Sequence, residues 1–175
     1  MTQTLILRRA VPADLSAVDA LLSRSYPRLL APDYPPSVLV LAIPRISRAQ
    51  PVLLASGTYF LAEDGTGRVV GAGGWTCAAP GSLRAAGSAD VRIGHVRHVA
   101  TDPDVVRQGV GRRLMSRVMD DAREAGVEVM DCASTRTAVP FYAAMGFKIV
   151  DEMVVSLAPG VDFPAVRMMA DLRQE

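Results

Sequence analysis

Residues 91–114 constrain the fold more than any other part of this chain. The run Val91-Arg92-Ile93-Gly94-His95-Val96-Arg97-His98-Val99-Ala100-Thr101 is rich in β-branched residues and ends at Asp102-Pro103. Arg107-Gln108-Gly109-Val110-Gly111 then opens a segment in which Val110, Leu114, Val118 and Ala122 recur every four residues. That pattern predicts a strand, a short loop and a helix. Glycines at 109 and 111 remove side chains that would hold an anion away. The first helical amides have no intrahelical acceptor, so the turn offers N–H donors to a pyrophosphate. Arg107, Arg112 and Arg113 add positive charge. Two familiar phosphate loops are excluded by spacing. A P-loop needs Gly-Lys-Ser/Thr, and Leu114 stands where a dinucleotide fingerprint needs a third small residue.

Composition narrows the class. The 175 residues are half apolar, enough for one domain, 1–175, with a sizeable core. With 19 basic against 18 acidic residues there is no global field to attract nucleic acid or an anionic membrane. The longest apolar run, residues 38–43, stops at Pro44 and is too short to span a bilayer. Met1-Thr2-Gln3-Thr4 is not a charged signal-peptide start, so a soluble cytoplasmic protein is expected, as a monomer or homodimer. Cys77 and Cys132, without a Cys-x-x-Cys, indicate two buried free thiols rather than a disulfide or a metal site.

In chain order, Leu5-Ile6-Leu7 predicts a first strand. Leu15, Val18, Leu21 and Leu22 predict a helix to about Ser25. Residues 26–36 contain four prolines and read as a loop or broken helix, followed by a second helix over about 36–49 that Pro44 must kink or divide. This region either covers a cleft or is an ordinary connection. Residues 59–62 and 69–77 read as an antiparallel hairpin, with Gly71, Gly73 and Gly74 leaving room for a ligand or another backbone. Trp75 suits core packing or a pocket wall. Residues 78–90 read as a small, glycine-rich, mobile segment joining two strands at a cleft. Arg113, Arg117, Asp120, Asp121 and Glu124 form the solvated side of the helix that Gly126 ends. A fifth strand over 127–132, a short helix capped by Thr137 and running through Met145, strand material at 147–150 and 153–157, and a last strand over 165–172 complete the pattern.

Two motifs in register then carry a resemblance. Val106-Arg107-Gln108-Gly109-Val110-Gly111 is similar to the Gln/Arg-x-x-Gly-x-Gly/Ala acyl-CoA loop of the GNAT superfamily of N-acetyltransferases, departing from it at Val106. Ala138-Val139-Pro140-Phe141-Tyr142-Ala143-Ala144-Met145-Gly146-Phe147 resembles the Ala-x-x-Phe-Tyr-x-x-x-Gly-Phe segment that follows one helix and one strand later in that family. The resemblance extends over the whole chain in element order and is specific over about 91–148. It implies an α/β (α+β) GNAT fold: a mixed, mostly antiparallel sheet of six or seven strands, flanking helices, and a splayed central parallel pair at about 92–101 and 127–132.

The resemblance also implies acetyl-CoA as acyl donor. The pantetheine arm would lie on unpaired backbone of Val99, Ala100 and Thr101, much as a peptide adds to a sheet edge. The pyrophosphate would bind the amides of Gln108, Gly109, Val110, Gly111 and Arg112, beside Arg107. Ser134 stands near the cofactor arm or caps its own turn. Acetyl transfer by direct attack in a ternary complex needs a deprotonated amine and a protonated leaving thiolate. Tyr142 matches the proton donor to the CoA sulfur. His95 falls where histone-type relatives carry a glutamate base, and imidazole titrates near neutrality. Strand alternation puts Arg97 on the His95 side and His98 on the other. The acceptor would be a small-molecule amine or a protein amino group. The alternative is a non-catalytic acyl-CoA-binding or sensing domain, which Val106 and the missing strand glutamate favour.

Overall fold

A computed structural model describes residues 4–80 and 91–173. The strands are β1 (Ile6–Arg9), β2 (Tyr59–Glu63), β3 (Val69–Thr76), β4 (Ile93–Thr101), β5 (Val129–Ser134), β6 (Lys148–Ala158) and β7 (Val161–Asp171). The helices are α1 (Leu15–Leu30), α2 (Pro36–Ile46), α3 (Pro51–Leu54), α4 (Val110–Glu124) and α5 (Val139–Ala144). The strands form one sheet in the order β1-β2-β3-β4-β5-β7-β6. Every neighbouring pair is antiparallel except β4–β5, which is parallel.

Two apolar clusters cover opposite faces of this sheet. On one, Leu114, Met115, Val118 and Ala122 of α4 pack against Phe60, Trp75, Val96 and Met130. On the other, Val18, Leu21 and Leu22 of α1 meet Tyr59, Leu61, Ala72 and Ala100. The four-residue stripe expected on α4 is therefore its buried face. Asp121, expected on the solvated side, is buried instead. Its carboxylate accepts hydrogen bonds from Trp75 Nε1 at 2.9 Å and Arg9 Nη2 at 2.6 Å, which settles Trp75 in the core. Of the two thiols, Cys132 is buried and Cys77 is exposed, correcting the expectation that both are enclosed.

Several elements outrun the punctuation in the sequence. Helix α1 continues through Pro27 to Leu30, because Leu30 extends its buried face and packs with Tyr34, Ala42 and Phe163. Burying a leucine gains about 1.5–3 kcal/mol, comparable to the ~3 kcal/mol cost of an internal proline. Pro44 likewise lies inside α2, and a separate short α3 follows. Strand β6 is continuous across Asp151-Glu152, because it is an edge strand whose side chains there face solvent. Strand β7 begins at Val161 and tolerates Pro164 because its pairing with β5 starts only at Val166. Strand β5 spans Val129–Ser134, shifted from the expected 127–132. Helix α5 has Ala138 rather than Thr137 at its N-cap and ends at Ala144.

The sheet opens at its centre. Strands β4 and β5 pair only at Ile93–Val129, Gly94–Met130 and His95–Asp131. Beyond these, β4 pairs with β3 and β5 with β7. A bulge follows on β4. Ala72 faces Ala100 and Gly74 faces Arg97, so β4 holds one extra residue there, and His98 takes φ 45°. Gly73 makes the bulge sterically feasible, since a Cβ there would lie 2.8 Å from Val99 Cγ2. The β3 glycines thus admit protein rather than ligand: Val110 packs at Gly71, and the Thr58 carbonyl and Tyr59 at Gly74. Residues 81–90 of the expected mobile segment lie outside the described residues. Among the described residues, no helix is long and apolar enough to cross a membrane.

The Asp121 contacts give a stability test. Asp121→Ala leaves the Trp75 indole N–H unpaired in the core and is expected to lower unfolding free energy by about 1–3 kcal/mol. Asp121→Asn, which retains an acceptor for Trp75, should lose less. Urea denaturation of both variants measures the difference.

Candidate active site

Two cavities occupy the gap left where β4 and β5 part. The larger, about 780 Å³, runs from the start of α4 along the unpaired edge of β4. The smaller, about 480 Å³, lies among α2, the bulged part of β4, β5 and the β6–β7 hairpin. Tyr26, Val99, Thr135, Ala138 and Tyr142 line both, so the cavities meet at these residues.

One end of the larger cavity is cationic and carries free amides. Arg107 and Gly109 both have positive φ, 64° and 83°, which turns the chain sharply into α4. Arg113 N, bonded to Gly109 O at 3.0 Å, is the first amide to enter the helical ladder, so the amides of residues 109–112 remain available. The Gln108 amide is instead directed to Val105 O at 3.4 Å. Arg107, Gly109, Gly111 and Arg112 line the cavity, whereas Val110 is buried with Ala62 and Val70. Gly111 packs under α5: a Cβ there would meet Phe141 at 3.2 Å. Farther in, Val99, Ala100 and Thr101 present the β4 edge left without a β5 partner. Ser25 and Thr137 also line this cavity, and each carries a buried hydroxyl oxygen with no protein hydrogen-bond partner. Unpaired backbone, two orphaned hydroxyls and a cationic amide turn fit an extended ligand with amides in the middle and phosphate at one end.

At the junction, Tyr142 is buried beside the Cys132 thiol and near Tyr26. Burial holds the Tyr142 phenol well above its ordinary pKa, with Cys132 and Tyr26 reinforcing the effect, so it carries its proton at any working pH. The Cys132 thiol is pushed up to about 12 by burial, and is a thiol rather than a thiolate. Tyr26, expected in a loop or broken helix, is placed here because α1 continues past Ser25. Its phenol is also raised by burial.

The smaller cavity gathers polar groups from separate elements. The bulge reverses alternation along β4: Val96 and Val99 join the α4-side core, while Ala100 joins the α1 side. His98 therefore shares a side with Arg97 rather than opposing it. His98 Nε2 lies 3.3 Å from Gln50 Nε2, Arg97 Nη2 donates to Gln50 Oε1 at 3.3 Å, and both residues line the cavity. Burial pushes His98 down to about 4, with Arg97 adding to the shift. The Tyr59 hydroxyl donates to the His98 carbonyl at 2.8 Å and fixes the bulge.

His95 lines neither cavity. It is buried in the last β4–β5 pair, with Nδ1 3.9 Å from an Asp131 carboxylate that Arg167 already engages at 2.6 Å. Burial lowers its pKa, Asp131 opposes the shift, and Arg97 and Arg167 add to it. Ser134 lines the smaller cavity, and its hydroxyl donates to Thr135 O at 2.7 Å. Tyr26, Gln50 and Cys132 join the site only through tertiary packing. No local motif around them signalled a role.

The comparisons with known proteins agree with this geometry. The family described as acetyltransferase (GNAT) domain matches residues 55–149. No curated protein matches the chain in sequence. Among solved structures, a GCN5-related N-acetyltransferase from Rhodopseudomonas palustris, also described as a class-II aminotransferase, is 19% identical. It superposes with a TM-score of 0.76 over 98% of each chain. The PaiA N-acetyltransferase from Thermoplasma acidophilum, solved with coenzyme A, is 14% identical with a TM-score of 0.69, over 96% of this chain and 99% of its own. YncA from Salmonella typhimurium, a putative acetyltransferase solved with acetyl-CoA, is 19% identical with a TM-score of 0.62, over 98% of this chain and 96% of its own. These likenesses show the fold. Because the family match covers more than half of the chain, the protein belongs to the GNAT acetyltransferase family.

Proposed function

We propose that the chain, as one domain over residues 1–175, transfers the acetyl group of acetyl-CoA to a primary amine by direct attack in a ternary complex, as a cytoplasmic monomer or homodimer. The observation that carries this reading is the meeting of the two cavities at Tyr142. Acetyl-CoA would fill the larger one, its pyrophosphate on the amides of residues 109–112 beside Arg107 and Arg112, its pantetheine on Val99, Ala100 and Thr101. The acceptor would enter through the smaller one, past Ser134. The neutral amine nitrogen then attacks the thioester carbonyl, the C–S bond breaks, the Tyr142 O–H protonates the departing sulfur, and the proton released from the new amide nitrogen passes through solvent back to the Tyr142 phenolate. A protonated Cys132 supports direct attack over an acetyl-cysteine intermediate.

Acetyl-CoA should bind with micromolar-scale affinity in calorimetry and raise the melting temperature. Arg112→Glu should weaken binding about tenfold or more, and is a cleaner probe than the glycines. A side chain at Gly109 would be strained at φ 83°, and one at Gly111 would press on Phe141 beside Tyr142. Absence of acetyl-CoA binding would overturn the acetyltransferase reading. Binding without transfer to any amine would favour the sensing domain.

Tyr142→Phe retains the ring and its packing but removes the proposed proton. Turnover at neutral pH should fall by roughly 10²–10⁴-fold with acetyl-CoA affinity unchanged. The defect should shrink as pH approaches the thiol pKa of about 8.5, because the leaving group then needs less help. Wild-type turnover in this variant would remove Tyr142 from the chemistry.

The amine proton needs a separate account. His95 stands off the cavity walls, and His98, held near 4, is too weak a base to retain an ammonium proton. We assign the deprotonation to solvent. In the wild type and in His95→Ala alike, kcat/KM should rise with pH toward the pKa of the acceptor amine. A loss confined to neutral pH in His95→Ala, recovered under alkaline conditions, would instead place the base at His95, as the family register implies.

A further inference from the structure

We propose that the acceptor is a small amine that also carries a carboxylate, and that Arg97 binds that carboxylate. This specificity rests on the acetyltransferase reading and adds the substrate class. Arg97 is half-buried on the wall of the smaller cavity. Its guanidinium has five N–H donors, and the protein engages two groups, both neutral: Thr76 Oγ1 at 3.1 Å and Gln50 Oε1 at 3.3 Å. Among the described residues no carboxylate pairs with it. Arg8, Arg9, Arg24, Arg68 and Arg167, by contrast, each meet an Asp or Glu within 2.9 Å.

A cation withdrawn from water without a counter-ion is costly, and a ligand carboxylate removes that cost with charge-assisted, bidentate hydrogen bonds. The rest of the wall agrees. Arg45 of α2 supplies a second positive charge, and among the described residues no Asp or Glu lines the cavity. His98 is neutral at working pH. A polycationic acceptor would meet two guanidiniums and, among the described residues, no carboxylate, so the site selects by repulsion as well as attraction. Ile46, Val155, Leu157 and Phe163 offer an apolar surface for the acceptor's hydrocarbon body.

The test compares matched acceptors by CoA release. The pairs are L-leucine with leucinamide, L-phenylalanine with phenethylamine, and 6-aminohexanoate with pentylamine, with spermidine as polycation. At least one acid should exceed its carboxylate-free partner by about tenfold or more in kcat/KM, and spermidine should be poor. Arg97→Gln should collapse that ratio toward one, chiefly through a higher KM for the acid, and Arg97→Lys should restore part of it. Acetyl-CoA calorimetry on each variant reports whether the fold and the larger cavity survive. Preference for the carboxylate-free amines or for spermidine overturns the proposal. So does a ratio that Arg97→Gln leaves intact, or transfer to no acid by a protein that binds acetyl-CoA. With any amine acetylated, those results leave the acetyltransferase reading standing, whereas failure to bind acetyl-CoA, or transfer to none of the amines, removes both.

Discussion

Strands β4 and β5 run together for three residue pairs and then separate, and the rest of the site follows from that parting. Each strand is held elsewhere. β5 makes six pairs with β7, where Arg167 grips the buried Asp131, and β4 stays with β3 through its bulge. A sheet that had stayed closed would have satisfied the β4 edge internally. Open, it leaves backbone donors and acceptors along Val96 to Thr101, and two cavities on either side of Tyr142.

Buried polar groups hold the opening in shape. Asp102, just past β4, is fully buried and receives Arg24 of α1 at 2.9 Å and Arg68 at 2.5 Å, while its other oxygen accepts the Asp104 amide at 3.0 Å. One carboxylate thereby ties α1, the β2–β3 turn and the loop toward α4 to the end of the strand. Asp121 and Asp131 do comparable work in the α4-side core and at the β4–β5 contact. Each carboxylate is paired with arginine. Arg97 differs from the other partly buried arginines in having no such partner among the described residues.

The arrangement divides labour between backbone and side chains. In the proposed reading the donor end would depend on amides and a strand edge, which would tolerate Val106 in place of the family's Gln/Arg because no side chain there would be needed to bind phosphate. The smaller cavity, proposed to take the acceptor, is lined by side chains from α1, α2, β4 and the β6–β7 hairpin, whose identity sets its charge and shape. A fold can therefore retain one donor while its acceptors diverge.

The sequence by itself determined the strand–loop–helix unit at 91–124, the α4 stripe, the Phe141-Tyr142 helix and hence the family. These rest on local periodicity, glycine placement and spacing, all readable along the chain. It did not reveal that α1 crosses Pro27 to bring Tyr26 to the junction, because that depends on Leu30 finding a buried site. Nor did it show the β4 bulge, which turns His98 onto the Arg97 side and depends on Gly73 lying opposite. The burial of Asp121, the pairing of Asp131 with Arg167 and the lack of a carboxylate partner for Arg97 among the described residues were likewise decided by tertiary structure. A charge becomes partnered or unpartnered only when residues tens of positions apart are brought within a few ångströms.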